Sequence, residues 1–356
     1  MTDVVAGIHV VGLGASTPIG RTALASAAAA RAGISGFAEH PYMLDTAGEP
    51  MRCAFVPWLD IDLHGRERLE MLLFPAIEQT LESLQAESHR QMHVALAVGL
   101  PASKPGVATD LQGAIRASLI ERFPKRFTAI ALFSVGHAGP VLGMQIAQKK
   151  MLEGTLDACV VAGVESYINP DTLEWLEEQD QLHGAGPLNN AWGFIPGEAA
   201  GAALLMNAAS VERLGLASYG RMLSVGTGTE PNRIKTQTVC IGEGLTAAFR
   251  EGLSGLPGGA KVTDVYCDMN GEPYRADEFA FTAVRVKEQF ESASDFVASA
   301  DCWGDVGAAS VPLGLLQATI AANKAYAKGA HAFVWASSES GERGAALLEV
   351  PKLERD

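Results

Sequence analysis

The sequence predicts a layered α/β protein with mixed, largely parallel sheets. Three observations carry that expectation. Apolar strand-like runs alternate with amphipathic helical stretches almost throughout the 356 residues. The runs, such as ACVVAGVES at 158–166, are continuously apolar, as expected of strands covered on both faces. The 38 glycines gather mainly at the ends of those runs, where sharp turns need positive φ or close backbone approach. A chain of this length suits one large domain or two halves of about 150–200 residues.

The first strand reads as GIHVVGLGA (7–15), and an alanine-rich helix follows from Arg21 to Arg31. A helix over 67–86 rests on Leu69, Leu72, Leu73, Ile77 and Leu81, which recur at helical spacing. The strand VALAVGL (94–100), a helix near 109–121 and the strand TAIALFSV (128–135) come next. The helix from Pro140 to Glu153 has proline at its start and Gly154 at its end, a matched pair of start and stop signals. Strands at 158–166 and 199–208 close the first half of the chain.

The second half repeats the rhythm. A helix at 238–253 leads to VTDVYCDMNG (262–271), which runs from strand into turn. A helix at 276–290, the segment SDFVASADCWGD (294–305) and a helix at 308–327 follow. Two strands, 332–339 and 344–350, finish the chain.

The net charge of −14 argues against general nucleic-acid binding, because a phosphate backbone would be repelled. ERFPKRF (121–127) and Lys149-Lys150 are the short basic clusters, read as a solvated loop and a helix end. Cys53, Cys159, Cys240, Cys267 and Cys302 are odd in number, widely spaced and free of any CxxC, so neither disulfides nor a zinc knuckle is expected. The N-terminus lacks a basic leader, and no apolar run is long enough to span a bilayer. A cytoplasmic protein without a membrane span is expected.

GLGAST (12–17) follows a strand and precedes a helix, but Thr17 stands where a dinucleotide fingerprint has its third glycine. It reads as a tight turn, and no phosphate loop of the form GxxxxGK[ST] exists. No cofactor and no metal are expected. The stretch FSVGHAGPVLG (133–143) looks like an elbow, a strand running through a glycine-framed turn into a helix, with His137 at its tip. GDVGAAS (304–310) and ASSESGERGAALLEV (336–350) are further glycine-rich turns, and LHGAGPLNNAWGF (182–194) is a loop that either covers a pocket or connects across the surface.

Taken in order, VVGLGASTPIG (10–20), GTLDACVVAGVES (154–166), GFIPGEAAGAALL (193–205), GDVGAAS and the closing hairpin resemble the β-ketoacyl synthase branch of the thiolase superfamily, over about residues 7–350. The resemblance implies duplicated αβαβα halves, taken as 1–210 and 211–356, packed as a five-layer α-β-α-β-α sandwich. It also implies a homodimer formed edge to edge beside the nucleophile strand, and acyl carrier protein or acyl-CoA as partners. That family condenses acyl thioesters with an elbow cysteine and two histidines, or a histidine and an asparagine. The elbow position falls here on His137, the first histidine position on Asn270 in CDMNGEP, and the second on Gly304-Asp305. Between His183 and His331 there is no histidine at all. The resemblance therefore implies the fold and withholds the condensing mechanism.

Three functions follow as expectations. One is a non-condensing binding partner or adaptor, with delivery of a secreted effector as one setting. Another is a remodelled acyltransferase, with Cys267 or Cys302 as nucleophile, His137 as base and Asn270 as oxyanion donor. The third is an acyl-thioester binder without turnover. A metal site from His137, Cys302 and Asp305 is a mixed-ligand alternative. At a helix N-terminus the His137 imidazole is expected to be neutral, with a lowered pKa.

Overall fold

The computed structural model describes residues 7–84, 92–184, 186, 190–233 and 238–351. Ten strands form one mixed sheet in the order β10-β9-β11-β12-β8-β1-β7-β6-β4-β5. These are β1 (Ile8–Ser16), β4 (Val94–Gly99), β5 (Ala129–Phe133), β6 (Ala158–Ser166) and β7 (Glu198–Asn207), then β8 (Gly220–Thr229), β9 (Asp264–Cys267), β10 (Phe296–Ala298), β11 (His331–Ser337) and β12 (Glu342–Glu349). Counted outward from β1 and from β8, the strands take the same order: first, fifth, fourth, second, third. The two runs meet where β1 and β8 pair antiparallel over Ile8–Met222, His9–Arg221 and Val10–Gly220.

The helices sort into three layers around these two half-sheets. α4 (Gly139–Leu152) and α10 (Ser310–Asn323) lie between them. Val141, Met144, Val311 and Leu315 share one core cluster with Val161 and Leu205 of the first half-sheet and with Val334 and Leu348 of the second. Every residue of α10 from Val311 to Ala322 is buried, as a helix that is apolar all round must be. α2 (Gly65–Leu81) and α3 (Leu111–Arg122) cover the outer face of the first half-sheet through Leu72, Leu73 and Ile115. α7 (Glu243–Gly252) and α8 (Pro273–Val286) cover the second through Phe249 and Phe279, which packs flat on Trp335 at 5.0 Å between ring centroids. The result is the five-layer α-β-α-β-α sandwich of two duplicated halves.

The core strands and helices fall within a few residues of their expected places, except at the start of α7, which lies at Glu243 rather than 238, and at the C-terminal ends of three helices. α8 stops at Val286, short of 290. α2 stops at Leu81, and residues 85–86 of its expected span lie outside the described residues. α10 stops at Asn323, short of 327. Several elements differ in kind. The sheet is not largely parallel: β4–β5, β4–β6, β9–β10 and β9–β11 run parallel, whereas the other five pairings are antiparallel, because the first and last strand of each half run against their neighbours. β8, the hairpin β2–β3 (Ala38–Leu44 and Pro50–Cys53), α5 (Pro170–Glu178) and α6 (Ala208–Leu214) arise where no element is expected. α1 (Ala23–Arg31) starts after Thr22, whose hydroxyl caps Ala25 N–H. The segment 294–305 resolves into β10 and a one-turn helix, α9 (Ala300–Trp303). α8 begins at Pro273, three residues earlier than its apolar pattern suggests, and that shift matters for the site. No described helix is long and apolar enough to cross a membrane.

Candidate functional site

The elbow is built as its glycines demand. β5 ends at Phe133, Gly136 takes φ +73°, and its N–H donates to Leu100 O at 3.1 Å, folding the turn back on the end of β4. His137 follows, just ahead of α4, and is 4% exposed. The next amide, that of Ala138, donates to Ser338 Oγ at 2.9 Å, so a side chain of the closing hairpin occupies it.

Asp305 enters from the turn between α9 and α10. Its backbone is pinned on both sides: its N–H donates to Ile195 O at 2.8 Å, and its carbonyl accepts from Gly197 N–H at 2.9 Å. The carboxylate accepts from His137 Nε2 at 2.8 Å on Oδ1 and 3.1 Å on Oδ2. Gly307 N–H adds a bond to Oδ1 at 2.8 Å, and Asn270 Nδ2 one to Oδ2 at 2.7 Å. Asn270 leaves the end of β9 and also bonds Glu272, through Nδ2 to Oε2 at 2.9 Å and through Oδ1 from the Glu272 amide at 3.1 Å.

Arg275 closes the cluster. Placed by the early start of α8, it is 1% exposed. Its Nη1 donates to Asp268 Oδ2 and to Ser337 O, both at 2.8 Å, and its Nε reaches Glu272 Oε2 at 3.3 Å. Its Nη2 stands 3.5 Å from His137 Nε2. That nitrogen already donates to Asp305, so the approach is a contact between two donors. Beside the cluster, Lys104 Nζ pairs with buried Glu165 at 3.0 Å and sits 3.9 Å from the centroid of the Tyr167 ring. At Gly307 a Cβ would come within 2.4 Å of Glu165 Oε2, so only glycine fits against that carboxylate.

These contacts reverse the expectation for His137. Burial and the Arg275 charge push its pKa down, but the Asp305 charge and hydrogen bond outweigh them, and the imidazole is held above its usual value. For Asp305, burial pushes upward, yet His137, Arg275 and the Gly307 amide together hold the carboxyl well below the usual range. A buried carboxylate at hydrogen-bond distance outweighs half a charge at a helix end.

His137, Asn270 and Asp305 are thus brought together. The two cysteines are not part of their network. Cys267 Sγ lies 3.8 Å from Val297 O, and Cys302 Sγ lies 3.7 Å from Ala30 O. Burial raises both thiols, the opposite of an activated nucleophile. Cys302 is not gathered with His137 and Asp305 into a metal-binding group. A cavity of about 20 Å³ between Cys267, Asp268, Ser299 and Asp305 has room for one water molecule. The 182–194 loop is stitched by Leu182–Phe194 bridging, with residues 185 and 187–189 outside the described set. Sequence reasoning missed Arg275, Glu272 and Glu165. For the first two a signal existed: Glu272-Pro273 has the form of a helix start with proline at its first position.

No family model and no curated protein matches the sequence. Solved structures do. A chain of the AntDE:AntF structure, a type II polyketide-synthase acyl-carrier protein in complex with its ketosynthase bound to the hexaketide, superposes with a TM-score of 0.81 over 97% of this chain and 99% of that one, at 13% identity. The fold is that of the ketosynthases. The module 6 ketosynthase of the bacillaene synthase from Bacillus subtilis 168 gives 0.76 at 14% identity, over 96% of this chain and 72% of that one. The ishigamide ketosynthase/chain length factor gives 0.69 at 20% identity, over 97% and 99%. At such identities the ketosynthase fold is shared, and the chemistry has to be read from the residues at the elbow.

Proposed function

We propose that this chain is a non-condensing protein of the ketosynthase fold that works by binding, as a partner subunit or adaptor. The observation that carries this reading is the buried His137–Asp305–Asn270–Arg275 cluster, which occupies the positions that the resemblance gives to a nucleophile and two histidines. An imidazole whose Nε2 is bonded to a buried carboxylate, with its pKa held above the usual value, is less available as a nucleophile than a free ring. The Ala138 amide, spent on Ser338 Oγ, is not free for an oxyanion. Both halves, 1–210 and 211–356, then serve as frame.

One of the similar structures is a complex of an acyl-carrier protein with its ketosynthase. An acyl carrier protein is accordingly one partner to test here. A second copy of the chain is another: β5 is an edge strand, and beside it an apolar groove of about 90 Å³ runs between Ala131, Phe133, Gly143 and Ile146.

The test is intact mass spectrometry after incubation with a panel of acyl-CoA and acyl carrier protein thioesters, on the wild type and on His137→Ala. The expected result is no covalent adduct and no thioester consumption by either. A stoichiometric acyl adduct on Cys267 or Cys302, lost in His137→Ala, would overturn the proposal in favour of a remodelled acyltransferase.

A further inference from the structure

An open cleft of about 290 Å³ lies on the outer side of the cluster, lined by Gln179, Asp180, Gln181, Trp192, Glu272 and Tyr274 among others. Three features set it apart from an ordinary surface dip. First, Gln181 is only 4% exposed and its Oε1 has no hydrogen-bond partner. Its amide nitrogen faces two carboxylates, Glu339 Oε1 at 3.3 Å and Glu272 Oε1 at 3.5 Å, which fixes the orientation of the amide. Second, the Tyr274 hydroxyl is buried and also without a partner. Third, Trp192, a large flat ring at the rim, is 70% exposed.

The charges are unbalanced in one direction. Asp268, Glu272 and Asp305 act on Arg275, and Glu339 acts on Glu272, whereas the basic groups described at the cluster are Arg275 and His137, with Lys104 paired to Glu165 beside it. Glu272 Oε2 is taken by Asn270 and Arg275, whereas Glu272 Oε1 receives only the long bond from Gln181. Among the described residues, no lysine or arginine lines the cleft. Its wall therefore holds acceptors in excess: a carboxylate oxygen with one long bond, and an amide oxygen and a phenol that are buried and unpartnered, with an aromatic ring at the rim.

We infer that this cleft receives a guanidinium group, the side chain of an arginine presented by a protein partner. A planar cation carries several N–H donors along its edge for the Glu272 and Gln181 oxygens, and a flat face that suits the Trp192 ring at the rim. An ammonium, a single point of charge, has no such flat face. The source is a protein side chain because the cleft is open to solvent, whereas small-molecule pockets enclose most of their ligand's surface. The inference deepens the binding role proposed above by naming the group a partner presents.

The test is isothermal titration of the full chain at low ionic strength with four probes: N-acetyl-arginine amide, N-acetyl-citrulline amide, N-acetyl-lysine amide and free arginine. The blocked arginine is expected to bind saturably, with citrulline and lysine at least about tenfold weaker, since a hydrogen bond to a charged group is worth that much. Trp192→Ala should weaken the arginine probe by about two- to fivefold, the worth of an exposed cation–π contact. As an exposed side chain it should not perturb folding. Gln181→Leu should weaken the same probe by more than about tenfold. Absence of saturable binding, equal binding of citrulline or lysine, or tighter binding of free than of blocked arginine would each overturn the inference. No thioester is involved, so failure here leaves the non-condensing reading to its own experiment.

Discussion

His137 Nε2 and Asp305 Oδ1 lie 2.8 Å apart across 168 residues of sequence, joining the elbow of one half to the late turn of the other. The pair is buried and tied to the Gly307 amide, and the opposite pKa shifts of its two members make its strength depend on pH.

The folded His137 has a raised pKa. Its contribution is fully present below the unfolded value of 6.5 and fades as pH rises through the higher folded value. Asp305 has a depressed pKa, so its contribution is present above 3.8 and is lost only as pH falls through the folded value. The pair should therefore stabilise most between about pH 4 and 6.5. Urea unfolding of the wild type and His137→Gln should show the largest gap in that window, narrowing on the alkaline side. A gap that widens above neutrality would contradict the charged pair.

Arg275→Met should destabilise the fold by about 3–5 kcal/mol, because it leaves Asp268 and Glu272 as buried carboxylates without their cation. Adding Asp268→Asn should recover part of the loss. Chemical denaturation of both variants measures it, and an equal or larger loss in the double variant would count against the account.

Putting a thiol back at the elbow should not bring condensation back. His137→Cys still leaves no histidine at either partner position, where Asn270 and Asp305 stand bonded to each other. Incubation with acyl and malonyl thioesters, followed by product analysis, is expected to show no chain extension.

Gly163 of β6 lies against the turn that carries the Asp305 site: a Cβ there would sit 1.9 Å from Ala308 O. Gly163→Ala should cost at or above the upper end of the roughly 1–3 kcal/mol typical of overpacking. A thermal melt unchanged from wild type would refute this.

Ile146 is 47% exposed beside the edge strand β5. If two copies meet along that edge, Ile146→Glu should shift the mass measured by light scattering from dimer to monomer without lowering the melting temperature.

Much of the frame was legible because its strands are buried on both faces. β6 and β7 show unbroken apolar runs, and α4 carries both of its boundary signals. β8 was illegible for the opposite reason: GRMLSVGTGT mixes glycine, serine and threonine, since Gly226 and Gly228 pack directly on the backbone of α7. α5 carried a legible signal in Asn169-Pro170, a capping side chain before a proline, which its short acidic stretch concealed. For the site, residue order pointed to His137, Asn270 and Asp305. Arg275 stayed hidden because apolar periodicity starts at the first buried turn, while the helix itself starts at its cap.

The central layer has a consequence for the whole chain. α4 belongs to the first half yet packs on strands of the second, with Val141 pressed against Gly344, and α10 reciprocates by lying against β7. Each half keeps a wall of its interior in the other's custody. Neither can be cut free without baring that wall, so the two halves are expected to unfold as one cooperative unit.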